Sequence, residues 1–398
     1  MTARIVIIGG GQAGGWAAKT LRDKGWQGEI AIVADEPWDF YERPPLSKAA
    51  LLDDEPLLPR LFSEEVQQGL NLTWHRPQRA ESIDPQARTV TLDSGERLAY
   101  DQLLIATGGS ARLPGPHWAD HPQVYTLRHW QDACRLKARL RDGLRLGIVG
   151  GGWIGLEIAA SARARGAAVT IFEQQPALCM RSVGPEVSAY LQTLHQQQGA
   201  DVRCGCGAIE LEDSGGQPVI YCDGVREIFD AVVVGIGVDL NLALARQAGL
   251  RVECGIVVDP RGRTSDPHIF AAGDVAQHPQ FGVCIQSWAF AQNQAVATAK
   301  TMLDAAAPGY DEIPWLWSDQ YQNNIQILGI PDPESRMIVR HDAKGPLFFS
   351  LAPDGRLRQL VAFNDARTVK LAKRWMAAGR DLRDAPLGDP QFSLMSLR

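Results

Sequence analysis

The chain has 398 residues (43.5 kDa), 45% hydrophobic and 22% charged, a composition that excludes disordered, collagen-like and coiled-coil proteins and fits two or three domains. Its formal charge of −6 and pI near 5.8 argue against nucleic acid as the main partner, which would require a clustered basic surface. No apolar run reaches the roughly 18 residues of a membrane helix, and no basic, apolar leader opens the chain, so we expect a cytoplasmic protein.

The first predicted element is a strand over Arg4-Ile5-Val6-Ile7-Ile8. A turn with Gly9, Gly11 and Gly14 follows, then an Ala-rich helix, then a strand that ends at Asp35-Glu36. The same order returns at Arg145-Leu146-Gly147-Ile148-Val149, with Gly150, Gly152 and Gly155 in the turn and Glu173 ending the next strand. Each repeat reads as a βαβ unit, and the unbroken apolar strands imply a parallel sheet covered on both faces. In G-x-G-x-x-G the first glycine makes the tight turn. The second admits a pyrophosphate to the backbone, and the third lets helix and strand pack closely. The helix start then offers N–H groups and positive partial charge to the phosphates. The terminal acid is placed to hold ribose hydroxyls: Asp35 or Glu36 in the first unit, Glu173 in the second.

Two such units imply two dinucleotides, or a flavin dinucleotide beside a nicotinamide one. Glu173 would occupy the place of a 2′-phosphate, and the following Gln174 and Gln175 offer no cation, which favours NADH over NADPH. Arg181, further on, either contacts the pyrophosphate or is solvated. The seven cysteines are scattered, contain no C-x-x-C and read as structural thiols rather than a disulfide framework. No His or Cys group has zinc spacing, and prolines flank His117 and His121, so we expect no metal.

The chain resembles the two-dinucleotide flavoprotein reductases, and within them the ferredoxin reductase components of bacterial aromatic ring-hydroxylating dioxygenases. The resemblance runs the whole length. It rests most on Arg43-Pro44-Pro45-Leu46-Ser47-Lys48 and Trp317-Ser318-Asp319-Gln320-Tyr321. Ile105-Ala106-Thr107-Gly108-Gly109, the turn at Gly150 to Glu157, Gly235-Ile236-Gly237-Val238 and Ala272-Gly273-Asp274-Val275 are shared more widely. It implies an α/β fold of glutathione-reductase-like architecture. An FAD domain would span residues 1–112 and 239–314, an NADH domain 113–238, and a C-terminal α/β domain 315–398. The last would have strands at 325–328, 337–340, 347–351 and 357–363 and a helix over 366–378.

Carried over residue by residue, FAD would be held by Gly9, Gly11, Gln12, Ala13, Gly14, Asp35, Glu36, Arg43, Lys48, Ala106, Thr107, Gly108, Arg128, Gly273, Asp274 and Trp288. NADH would be held by Gly150, Gly152, Ile154, Gly155, Glu173, Arg181 and Gly237. Lys48 would pair with Glu157 near the isoalloxazine, and Trp317 would lie by the flavin. Gln286 stands where relatives often have an acid, and Leu240 where they have proline, departures that touch flavin tuning and turn rigidity.

The implied reaction passes a hydride from NADH to FAD and then single electrons to a 2Fe–2S ferredoxin, of the Rieske type, that feeds the oxygenase. No cysteine precedes Cys134, so the dithiol of the disulfide reductases is absent from its usual place. Arg367, Lys370, Lys373 and Arg374 form a basic stripe on an acidic protein and suit docking of an acidic ferredoxin. Related readings remain: another acceptor (rubredoxin, a P450-type ferredoxin or oxygen), or a nicotinamide-sensing flavoprotein with slow turnover.

Overall fold

In the computed structural model, which describes residues 3–397, the chain divides into two compact units. Among the described residues one comprises 3–43, 58–110 and 238–312; the other comprises 44–57, 111–237 and 313–397.

The first unit is built on a five-stranded parallel sheet. Its order is Ile269–Ala271, Gln102–Ile105, Arg4–Ile8, Glu29–Val33, Thr73–His75. Ile5, Val6 and Ile7 are wholly buried, as both-face coverage of a central strand demands. Helices Gln12–Asp23 and Trp288–Leu303 pack against each other on one face, with Ala17, Ala18, Ala295 and Ala299 letting them approach closely. A three-stranded antiparallel sheet, Ala80–Asp84, Thr89–Leu92 and Arg97–Ala99, contributes Ile83, Val90, Leu92 and Leu98 to the core of the other face. The strand order reverses at Arg4–Ile8, and a parallel sheet opens its binding crevice at such a reversal, beyond the carboxyl ends of the strands.

The second unit repeats the plan. Its parallel sheet runs Asp201–Cys204, Ala168–Glu173, Arg145–Val149, Ala231–Val234, Val124–Tyr125. An antiparallel meander, Ile209–Ser214, Gln217–Cys222 and Val225–Ile228, covers one face. The C-terminal part is a five-stranded antiparallel sheet ordered Trp315–Gln320, Asn323–Gly329, Leu357–Phe363, Gly345–Leu351, Arg336–Asp342. Helix Ala366–Ala377 packs on it through Val369, Leu371, Ala372 and Trp375.

Two features were not read from the sequence. Residues 315–320 form an edge strand that alternates Ser318 and Gln320 inward with Trp317 and Asp319 outward, a period-2 pattern that the motif reading did not use. Residues 44–57, assigned from sequence to the flavin domain, belong to the second unit. Their backbone carbonyls are held there by side chains of its helices: Ser161 Oγ donates to Ser47 O (2.7 Å), Arg165 Nε to Leu51 O (3.0 Å) and Lys137 Nζ to Asp54 O (2.8 Å).

His195, on helix Pro185–Gln197, ties the parallel-sheet part of this unit to its C-terminal sheet. The imidazole is fully buried, with Nε2 2.9 Å from Gln320 Oε1 and Nδ1 2.8 Å from the Tyr321 hydroxyl. Burial pulls its pKa from 6.5 to about 4, against the Gln320 hydrogen bond, which raises it. The unfolded chain therefore binds a proton here that the folded one refuses, so stability falls as pH drops from 6.5 towards 4, by about 3 kcal/mol at full extent. Urea titrations at pH 7.5 and 5 should show a smaller drop in His195→Asn than in the parent; equal drops would contradict this.

Candidate functional site

The first glycine turn is fixed by contacts that no side chain would permit. Gly9 has φ +129°, and a Cβ there would meet Ala106 O at 2.1 Å; a Cβ on Gly14 would meet Gly9 O at 2.0 Å. Gly11 is different. Nothing but the Arg43 guanidinium comes within 4.0 Å of its absent Cβ, so its side of the turn is open. Gly11 also begins helix Gln12–Asp23 without a side-chain cap, whereas Ser287 caps helix Trp288–Leu303 and Asp365 caps helix Ala366–Ala377. Uncapped first-turn N–H groups beside an open backbone are what a pyrophosphate requires.

Around this turn the same unit gathers most of the expected flavin contacts. Glu36 accepts from Tyr41 Oη (2.7 Å) and from Arg43 Nη2 (3.1 Å), while Asp35 is exposed and 3.9 Å from Arg79. Of the two acids left open by spacing, Glu36 is the organised one. Gly273, at φ +82°, lies against Ala13 and donates its N–H to Gln294 Oε1 (2.9 Å); Asp274 follows, half-buried and close enough to Arg43 to act on its charge. Ala106 N–H donates to Ile8 O (2.8 Å), and Thr107 and Gly108 are clamped by Asn241, which donates to Thr107 O (2.9 Å), accepts from Thr107 Oγ1 through its carbonyl (2.9 Å) and donates its N–H to Gly108 O (3.0 Å). The turn that lacks the relatives' proline at Leu240 is thus secured by the next residue.

Gln12 lies with its amide 2.9 Å from Trp288 Nε1 and 3.2 Å from Trp16 Nε1, and accepts from both when its oxygen faces them. Trp288 also hydrogen bonds Glu42, whose carboxyl is pushed above its ordinary range by burial, against that hydrogen bond. Glu42 was not singled out from the sequence. It sets a carboxyl beside Trp288 although Gln286 does not.

The second unit repeats the glycine geometry. A Cβ on Gly150 (φ +112°) would meet Gly235 O at 2.4 Å, and one on Gly155 would meet Gly150 O at 2.2 Å. Gly152 has nothing within 4 Å and starts the uncapped helix Trp153–Ala164, on which Ile154 is exposed. Glu173 accepts from the N–H groups of Gly151 (2.6 Å) and Gln175 (2.7 Å), which holds its carboxylate at the turn. The Arg181 guanidinium reaches Gly237, lying 3.4 Å from where a Cβ would be. Arg128, expected at the flavin, belongs to this unit, where its N–H donates to Asp132 Oδ2 (3.0 Å) at the start of helix Trp130–Lys137.

On helix Trp153–Ala164 begins a buried polar cluster. Glu157 is 2% exposed. Its Oε2 lies 2.6 Å from Lys48 Nζ and also accepts from Ser47 Oγ; its Oε1 accepts from Ser318 Oγ at 2.7 Å. Gln320 Nε2 donates to Ser318 Oγ (3.0 Å), and Gln320 Oε1 leads on to His195 and Tyr321. A buried carboxylate is tolerable when paired and fully hydrogen bonded, and this one is. Ser47, Ser318, Gln320, His195 and Tyr321 were not singled out from sequence. Polar residues at the inward positions of a strand are the signal that would have found two of them, Ser318 and Gln320. Trp317 is turned to the strand's other face, where it stacks on Trp315 (5.3 Å) and donates Nε1–H to Asp319 Oδ2 (3.1 Å). The structure therefore joins Lys48 to Glu157 but aims Trp317 elsewhere.

Arg367, Lys370, Lys373 and Arg374 are all exposed, opposite the buried face of helix Ala366–Ala377. Among the described residues Cys206, Cys222 and Asp223 lie within 4.8 Å of one another, a grouping the sequence spacing does not reveal. No helix of the described residues is long and apolar enough to cross a membrane.

Residues 3–295 match the model of a family described as pyridine nucleotide-disulphide oxidoreductase, and residues 315–398 match a reductase C-terminal family. The chain is 37% identical over 396 residues to the ferredoxin–NAD(+) reductase component of the p-cumate 2,3-dioxygenase system of Pseudomonas putida, covering 98% of each chain. It is also 37% identical over 405 residues, with 98% of each chain covered, to the corresponding component of the anthranilate 1,2-dioxygenase system of Burkholderia cepacia. Among solved structures it is similar to the reductase of the covalent putidaredoxin reductase–putidaredoxin complex, at a TM-score of 0.93 and 32% identity, covering 99% of this chain and 98% of that one.

Lys48→Met would leave Glu157 buried without its counter-charge. We expect it to lower unfolding stability by about 3–5 kcal/mol, and the double replacement Lys48→Met with Glu157→Met to recover more than half of that loss. Denaturant titration of the three proteins checks this; additive losses would refute a coupled pair.

Proposed function

Because this chain belongs to the pyridine nucleotide-disulphide oxidoreductase family, among the ferredoxin–NAD(+) reductase components of dioxygenase systems, we propose that it is a cytoplasmic NADH:ferredoxin oxidoreductase that serves an aromatic ring-hydroxylating dioxygenase. The observation that carries the proposal is the pair of open, uncapped glycine turns, one in each unit.

Bound FAD supplies the conversion of a two-electron hydride donor into single electrons for a 2Fe–2S ferredoxin. The chain's own residues bind and orient. Gly11 and the first turn of helix Gln12–Asp23 receive the flavin dinucleotide's pyrophosphate, Glu36 its ribose, and Asp274 its ribityl hydroxyls. Gly152 and helix Trp153–Ala164 receive NADH, with Glu173 on the ribose and Arg181 at the pyrophosphate. Glu173 is anionic where a 2′-phosphate would lie, which supports NADH over NADPH. Lys48 presents an ammonium held by Glu157 Oε2 (2.6 Å) and Pro44 O (3.0 Å), while Ser47 and Ser318 fix the Glu157 carboxylate; this is a preorganised charge of the kind that stabilises developing negative charge.

The exposed cations Arg367, Lys370, Lys373 and Arg374 form the ferredoxin docking face, steering an acidic partner by charge. NADH-driven cytochrome c reduction should be stimulated strongly by a Rieske-type 2Fe–2S ferredoxin. No stimulation, with NADH still bleaching the flavin, would move the acceptor to another redoxin or to oxygen. Lys370→Glu with Lys373→Glu should slow ferredoxin reduction roughly tenfold at low salt and less at high salt, leaving NADH-dependent dye reduction unchanged. An unaltered ferredoxin rate would remove the docking assignment.

A further inference from the structure

Two cysteines of the first unit, thirty residues apart in sequence, come together on its surface. Cys254 Sγ and Cys284 Sγ are 4.0 Å apart. Cys254 is exposed and Cys284 half-buried. We propose that Cys254 and Cys284 are a modification site: a thiol pair that hydrogen peroxide closes to a disulfide and that small thiols reopen.

The backbones on both sides are already in register for such a bond. Ile256 N–H donates to Val275 O (2.7 Å), and Gln277 forms a β-bridge with Cys284, so the loop of Cys254 and the strand of Cys284 flank one segment. Gly255 lies directly against the second thiol: a Cβ there would be 2.3 Å from Cys284 Sγ. Residues 278–283 turn back tightly, with His278 N–H donating to Val283 O (2.7 Å) and Gly282 N–H to His278 O (2.9 Å), which returns the chain to Cys284. Bond formation at about 2.05 Å needs the sulfurs to close by about 2 Å, within reach of side-chain rotation in an exposed loop.

Exposure sets the order of events. Cys254 thiolate attacks a peroxide oxygen: an S–O bond forms, the O–O bond breaks and hydroxide leaves, giving a sulfenic acid. Cys284 sulfur then attacks the Cys254 sulfur, forming S–S and breaking S–O, with water as the product. In sum two thiols and one peroxide give one disulfide and two waters. Burial, followed by the charge of Cys254 and its hydrogen bond, pushes the Cys284 thiol up to about 12, so it is the resolving partner rather than the first to react. Once Cys254 is an uncharged sulfenic acid, its part of that penalty disappears. Cys206 and Cys222 also lie close together, but both are buried, so they are a built-in comparison for access.

The bond would fasten the stretch between Asp274 and Trp288, which carries the exposed Phe281 and Val283, to the loop around Cys254. The proposal does not depend on the acceptor assigned above, because its readout is covalent. The intact flavoprotein is treated with a few equivalents of hydrogen peroxide, and thiols are counted with maleimide after unfolding. Seven should fall to five (7 − 2), a Cys254–Cys284 linked peptide should appear, and dithiothreitol should restore all seven. Cys254→Ser should keep its remaining six thiols under the same dose (7 − 1), with NADH-dependent dye reduction like that of the parent before treatment. Retention of all seven thiols, Cys254 found as sulfinic acid beside a free Cys284, or a Cys206–Cys222 link instead would each overturn the assignment.

Discussion

In each unit a helix starts directly against the turn that precedes it, and the contact leaves no room for a side chain. Gly14 packs on the carbonyl of Gly9, and Gly155 on that of Gly150, with absent Cβ atoms only 2.0 and 2.2 Å from oxygen. That closeness seats the helix on the central strand and brings its first N–H groups to the carboxyl edge of the sheet. The residue at the N-cap is itself glycine, so the usual side-chain remedy for those groups is absent. These two helix starts therefore stand without a side-chain cap, positively polarised, at the points where the strand order of the parallel sheets reverses. The acids Glu36 and Glu173, the clamp of Asn241 on Thr107 and the position of Gly273 against Ala13 are all arranged around one or other of these two starts.

The second constraint is the buried carboxylate of Glu157. Removed from water, it needs hydrogen-bond and charge partners, and they come from two stretches far from it in sequence: Ser47 with Lys48, and the strand with Ser318. This requirement explains why residues 44–57 belong with the second unit although the sequence around them reads as part of the first. Arg165, Lys137 and Ser161 complete the attachment through backbone carbonyls, bonds that constrain the path of the segment and not its side chains.

The βαβ repeats were legible because their physics is local: unbroken apolar strands, glycines at fixed spacing and an acid at the end of the next strand all lie within about thirty residues. The Lys48–Glu157 contact came from the family resemblance and not from spacing, since 109 positions separate the two residues. The polar chain from Ser318 through Gln320 to His195 and Tyr321 carries only a short period-2 signal at its two strand residues; the chain itself exists only once strand 315–320 lies over helices 153–164 and 185–197. Asn241, Glu42 and the pair Cys254–Cys284 were missed for the same reason. Trp317 is placed by the alternation of its edge strand, which turns it to the face opposite Ser318 and Gln320.

The account stands or falls on each helix start serving its own dinucleotide. The most direct measurement is the cofactor content and reducibility of two charge insertions, Gly11→Asp and Gly152→Asp, each placing a carboxylate on the open side of one turn. The account predicts that Gly11→Asp purifies without flavin. It predicts that Gly152→Asp purifies yellow, with its FAD bleached by dithionite but no longer by NADH. Full flavin in Gly11→Asp, or NADH bleaching of Gly152→Asp at the parent rate, would contradict it.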